Sequence, residues 1–287
     1  MNKRLSLFQK ITGMKLAIIT SGNENLSLFK FLNKYDHEYI IYYDFLYRPY
    51  GDKDSDFIQN RVVDIIKFLK KSGVEKIILP PSLELYFLSN PKLLGVHQSL
   101  LLPLFQTYLH DYCFKYSIIG KIGAFGDFSD IQIIQDLLKQ EEKSYSLTDN
   151  QKSIKKFHSP FKYRTKEVPM RKYYLTTLSY SDFMINKIIK FDMRYFKDAM
   201  VDTVIPLNYG YFNFQNTLTK FFNFKKIRFH KLEKLEDSFV QLTSKLSSDK
   251  YSITMYHSGP IDLFQKQKKL VRLLARGKNI EINYEKI

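Results

Sequence analysis

The chain of 287 residues contains no tryptophan and a single cysteine, Cys113. One thiol cannot build an intrachain disulfide framework or a multi-cysteine zinc site, and such usage fits a reduced, cytoplasmic protein. The six histidines are scattered without ligand spacing, so no metal is expected. No apolar run approaches the ~20 residues that span a bilayer, and the basic start from Met1 to Lys10 is not followed by a signal-type apolar segment. No membrane partner is expected on that basis. Acidic residues are scarce beside basic ones, 29 against 45, which leaves a formal charge of +16 and a pI near 9.5.

A content of 44% apolar residues is enough to bury one large core or two modest ones. The positive charge favours an anionic partner, either nucleic acid or a protein bound through the basic surface. Abundant Lys, Asn, Ile, Phe and Tyr without Trp is also the usage an AT-rich genome produces, with no anion binding required. Both readings stay open.

Short apolar runs alternate with amphipathic stretches, the pattern of βα units around a mainly parallel sheet. Strands are predicted at Leu16 to Ile19, Tyr39 to Tyr43 and Val74 to Leu79. Between the first two, a helix is expected from about Asn25 to Leu32. Ser55 reads as the N-cap of a helix whose residues Ile58, Val62, Ile65, Ile66 and Leu69 share one face, and Gly73 suits its C′ position. The grammar restarts near Leu94, with a helix from about Ser99 to Phe114, a strand at Tyr116 to Ile119 and a helix from about Ser129 to Leu138. Gly120, Gly123 and Gly126 are spaced G-x-x-G-x-x-G, which reads as a glycine-rich βα turn and not as a dinucleotide fingerprint, so no nucleotide is implied. Residues 139–174 are polar, basic and irregular, with Lys152, Lys155, Lys156, Lys162 and Arg164 interleaved with Phe157, Phe161 and Tyr163. That composition suits either single-stranded nucleic acid or a solvated loop. A helix near Tyr180 to Lys190, a strand at Thr203 to Pro206, a helix after Phe212, a strand at Lys226 to Phe229 and a helix from about Glu233 to Leu246 complete the series.

Ordered landmarks then point to a family. Leu16-Ala17-Ile18-Ile19-Thr20-Ser21-Gly22, Asp44, Pro49-Tyr50-Gly51 with Lys53, Gly95-Val96, Ile118-Ile119-Gly120, and Ser258-Gly259-Pro260 with Phe264 together resemble the glutamate racemases of the aspartate/glutamate racemase superfamily, over most of residues 15 to 265. The resemblance implies an α/β fold of two similar lobes with mainly parallel sheets, related by a pseudo-twofold axis and with the ligand between them at the carboxyl ends of strands. It also implies a homodimer, no cofactor, and a discontinuous first lobe. Residues 14–95 and 203–287 would form that lobe, residues 96–202 the second, and residues 1–13 a basic extension.

Such racemases use one thiol on each face of the α-carbon. The matching positions here are Pro80, in Pro80-Pro81-Ser82, and Asn208, in Leu207-Asn208-Tyr209-Gly210-Tyr211. Neither side chain exchanges protons usefully, and acid–base groups contribute typically 10²–10⁴-fold each. No catalytic residue of the family type is therefore expected. Candidates for substitute acid–base groups are Glu84, His97 and Tyr211. Glu84 reads as a solvated carboxylate one turn into a helix, His97 as a polar residue at a domain seam, and Tyr211 as a phenol with an ordinary pKa near 10. Cys113 reads as a buried, inert thiol. Residues matching the substrate-binding positions are Thr20, Ser21, Tyr50, Gly51, Pro81, Ser82, Tyr209 and Gly210, and Tyr209 would partly fill the cavity. The leading expectation is a racemase homologue without catalysis that binds glutamate or a similar small anion, or acts as an interaction protein. The alternative is an active enzyme supplying D-glutamate for peptidoglycan through substitute groups.

Overall fold

A computed structural model describes residues 14–21, 24–47, 50, 53–90, 99–114, 117–127, 130–135, 162–168, 182–243, 251–259 and 280–281. Nine parallel strands among them form two sheets. The strands are β1 (Lys15–Thr20), β2 (Glu38–Tyr43), β3 (Lys76–Ile78), β4 (Lys121–Gly126), β5 (Lys162–Glu167), β6 (Thr203–Pro206), β7 (Arg228–Phe229), β8 (Ser252–His257) and β9 (Ile280–Glu281). The first sheet runs β3-β1-β2-β8-β9 and the second β5-β4-β6-β7. In both, the first strand lies between the second and the third. Helices are α1 (Phe29–Leu32), α2 (Ser55–Lys71), α3 (Pro81–Ser89), α4 (Leu104–Tyr108), α5 (Asp182–Asp198), α6 (Gln215–Phe224) and α7 (Leu232–Thr243).

The strands of the first sheet are apolar on both faces because both faces are covered. Ala17, Ile19, Ile40, Tyr42 and Ile77 pack under the Ile58, Val62, Ile65, Ile66 and Leu69 stripe of α2. Leu16, Ile18, Tyr39, Ile41 and Ile78 face the other way. They belong to one core that continues into Ile122, Phe125 and Val204 of the second sheet. The lobes therefore share an apolar interior, in which each fully buried aliphatic side chain contributes about 1.5–3 kcal/mol. Helix α7 closes the seam, with the Phe239 ring 5.6 Å from Phe31 and 5.4 Å from Tyr35.

Several expectations shift. The N-cap of α2 is Asp54, whose carboxylate accepts from the Phe57 amide at 2.7 Å; Ser55 is already inside the helix. Gly73 does turn the chain, with φ of +76°. The stretch from Asn25 to Leu32 is a 3₁₀ turn, Glu24–Leu28, running into the single turn α1. The helix expected from Ser99 breaks: Leu101 bridges to Ile77, α4 starts after Pro103, and Leu109–Phe114 continues as a π-helical turn. The strand placed at Tyr116 to Ile119 lies instead over the glycines. Asp202 accepts the amides of Ile118 and Ile119 and bends that segment, and Gly120 turns with φ of +68°. Gly123 then lets Phe196 lie on the strand, since a Cβ there would come within 2.5 Å of the ring.

The expected lobe boundary is also corrected. Thr203 and Val204 register with Ile122 and Gly123, so β6 and β7 complete the second sheet, and the chain returns to the first sheet at β8. Within the basic segment, residues 162–167 form the edge strand β5. Lysines on an edge strand discourage further strand pairing, which gives part of this basicity a structural use. The remaining basic segment and residues 1–13 lie outside the described residues.

Candidate functional site

The carboxyl ends of β1, β3, β4 and β6 carry the loops on which a site in this fold class is built. At the end of β1, Thr20 and the following Ser21 are buried, and the Asn25 amide nitrogen donates to the Ile19 carbonyl at 2.6 Å. Ser27 donates its hydroxyl to the Tyr209 carbonyl at 2.7 Å, which ties the loop of the first lobe to that of the second.

After β3, Pro80 is the N-cap of α3 and Pro81 its first residue, where a missing N–H costs nothing. Ser82 is buried and donates to Asp130 Oδ1 at 2.6 Å. The other oxygen of Asp130 accepts from the Asp127 amide at 3.2 Å. Gly126 makes this approach feasible, because a Cβ there would lie 3.0 Å from both the Asp130 carboxylate and Leu207. A carboxylate of the chain itself thus holds the hydroxyl nearest the start of α3.

After β6, Asn208 adopts an extended backbone and caps the 3₁₀ turn Tyr209–Phe214, its Oδ1 accepting from the Gly210 amide at 2.8 Å. The amide side chain is occupied by its own turn. Tyr209 is fully buried, with its ring 6.0 Å from Phe105, edge-on, and 6.4 Å from Phe212, stacked. Burial and then the neighbouring Glu84 push its hydroxyl well above the ordinary range. Tyr211 packs edge-on against Phe125 at 4.5 Å, as part of the core.

Glu84 is not the solvated carboxylate expected from its position. It has no exposed surface, and its two oxygens accept from the amides of Phe105 at 3.0 Å and Gln106 at 2.7 Å. The cause lies in the next helix: α4 begins after Pro103, which has no side chain to cap it, so the carboxylate of α3 satisfies the orphan amides. Burial raises the Glu84 carboxyl to about 8, against the downward pull of the Phe105, Gln106 and Leu104 amides.

A second polar cluster sits at the ends of β2 and β8. Buried Asp44 accepts from the Tyr50 hydroxyl at 2.8 Å, the Ser258 hydroxyl at 2.7 Å, Arg61 Nε at 3.0 Å and the terminal Arg61 nitrogen at 2.8 Å. His257 stacks on both Tyr43 and Phe45, at 5.8 and 5.2 Å. The Tyr50 hydroxyl is therefore held by Asp44. Gly51 and His97 lie outside the described residues, as does the Cys113 side chain. Asp130, Ser27 and Arg61 escaped the sequence reading. The sequence signal for Asp130 was its place three residues after the strand-end Asp127.

No protein-family model matches the sequence. A stretch of 68 residues is 40% identical to the glutamate racemases of two Leptospira interrogans strains, of serovars copenhageni and Lai. It covers 23% of this chain and 27% of theirs, so the match spans about a quarter of those relatives. Solved structures extend the likeness in fold over nearly the whole chain. A glutamate racemase isoform of Bacillus anthracis superposes with a TM-score of 0.70 at 14% identity, covering 96% of this chain and 98% of that one. The Francisella tularensis enzyme, solved with D-glutamate, gives 0.68 at 13% identity over 96% and 97%. That of Aquifex pyrophilus gives 0.64 at 19% over 94% and 98%. The chain has the glutamate racemase fold.

Within that fold the strand-end loops of this chain offer hydroxyls, amides and carboxylates. The single cysteine, Cys113, belongs to the Leu109–Phe114 turn and not to the loop after β3 or β6. The most perturbed acid beside those loops, Glu84, spends both oxygens on the start of α4. Among the described residues, no group of three or more His, Cys, Asp or Glu is placed to hold a metal ion.

Proposed function

We propose that this chain is a racemase-fold protein that has lost the proton-transfer chemistry and binds a small amino-acid-like anion between its lobes. The observation that carries the reading is what occupies the two strand ends: Pro80 caps α3, and Asn208 Oδ1 accepts from the Gly210 N–H. Racemisation needs a proton acceptor on one face of the α-carbon and a donor on the other. Neither residue supplies one. Glu84 and Tyr211 do not replace them, because one caps α4 and the other packs on Phe125.

Ligand binding is supported by the buried hydroxyls of Thr20, Ser21 and Ser82 at strand ends, and by the D-glutamate in the Francisella tularensis structure. A ligand carboxylate would take the Ser82 hydroxyl by exchange with Asp130. The test is proton NMR of L- and D-glutamate in D₂O with the purified protein. Broadened ligand lines without loss of the α-proton signal are expected. Exchange of the α-proton above a protein-free control refutes the loss of chemistry, and sharp lines for both isomers refute the glutamate pocket.

A further inference from the structure

At the end of the second sheet opposite the strand-end loops, β4, β6 and β7 lie side by side and start from three adjacent turns. Those turns, with the last residue of α6, carry large apolar side chains in water: Ile118 is 76% exposed and Ile119 56%, Met200 67% and Phe224 81%. The backbone of the first pair is pinned, because both amides donate to Asp202. Met200 and Lys226 are the two non-glycine residues with positive φ among those described, at +52° and +58°. Both fall in these turns, where glycine or asparagine would relieve the backbone. Strained positions carry a thioether and an ammonium instead. Basic side chains accompany the apolar ones: Lys225 lies over the Phe224 ring at 4.5 Å, Lys121 opens β4, and Lys197 is in the last turn of α5.

We propose that this rim rests on an anionic lipid surface. Protruding turns with scattered bulky residues suit the soft headgroup layer, where apolar tips insert shallowly and lysines meet lipid charge. A second copy of the chain would bring one basic rim against another. Protein interfaces are depleted in lysine, and a phosphate backbone gains little from isoleucine and methionine. The expectation of no membrane partner rests on the lack of a spanning segment. Among the described residues no helix is long and apolar enough to cross a membrane, and a contact from one side needs none.

The test is co-sedimentation of the full chain with phosphatidylcholine vesicles, with and without about one-third phosphatidylserine. Binding is expected only with phosphatidylserine. It should weaken at least tenfold in Lys225→Glu/Lys226→Glu, given about fivefold per lysine, and at least fivefold in Phe224→Ser. All these side chains are at the surface, and unchanged melting temperatures will confirm intact folds. Absence of the wild-type protein from the phosphatidylserine pellet overturns the proposal, as does equal binding to pure phosphatidylcholine. Wild-type partitioning of Phe224→Ser also overturns it, because charge alone would then suffice.

Discussion

Replacing Glu84 by Gln should remove a pH dependence that the wild-type fold carries in one side chain. In the unfolded chain the carboxyl titrates near the ordinary value of 4.5, and in the folded protein burial moves it to about 8. Between those values the folded state holds a proton that the unfolded state lacks, so stability falls as pH rises. The contribution is fully present below about 4.5 and is lost by about 8. At 1.36 kcal/mol per unit, this side chain alone changes the unfolding free energy by roughly 4 kcal/mol between pH 5 and 8. Gln does not titrate, and its carbonyl still accepts one of the two amides. The assay is urea unfolding of both proteins at pH 5, 6.5 and 8, taking the difference at each pH so that other titrating groups cancel. The wild type should be the more stable by the largest margin at pH 5, and that margin should shrink or reverse by pH 8. A difference that stays constant across this range would show that Glu84 titrates normally and that burial does not hold its proton.

Arg61→Met should cost about 3–5 kcal/mol in the same assay, because it leaves the buried Asp44 carboxylate without its cation. Gly123→Ala should destabilise by about 1–3 kcal/mol through the clash with Phe196, and Phe196→Leu in the same chain should recover part of that loss. Asn208→Ala removes the cap on Gly210 and should lower stability by about 1 kcal/mol, read as a shift of the urea midpoint at unchanged slope.

Strands buried on both faces were legible in the sequence because β1 and β2 are continuous apolar runs, and α2 was legible because its stripe has the helical period. β5 was not: Lys162-Tyr163-Arg164-Thr165-Lys166-Glu167 contains one apolar residue, and only its pairing with β4 makes it a strand. β4 was misplaced because its glycines look like a turn, whereas the structure uses Gly123 as space for a ring. β8 was passed over although Ile253, Met255 and His257 alternate inward with period two. For the site, the residue types at both strand ends were readable, and their bonds were not. Glu84 shows why. Its burial is set by Pro103 and the amides beyond it, about twenty residues along the chain, a distance at which no local pattern carries information.

The pairing of β2 with β8 also bears on how the molecule is made. Among the described residues, the strands of the second sheet lie between Lys121 and Phe229, so that sheet can close while later residues are still being synthesised. The first sheet cannot. Glu38–Tyr43 keeps one edge unpaired until Ser252–His257 emerges, and Asp44 waits equally long for the hydroxyl of Ser258. Throughout that interval a strand of mostly buried type stands open at the ribosome, which makes this edge the point where nascent chains would capture one another and where a chaperone would act to most effect.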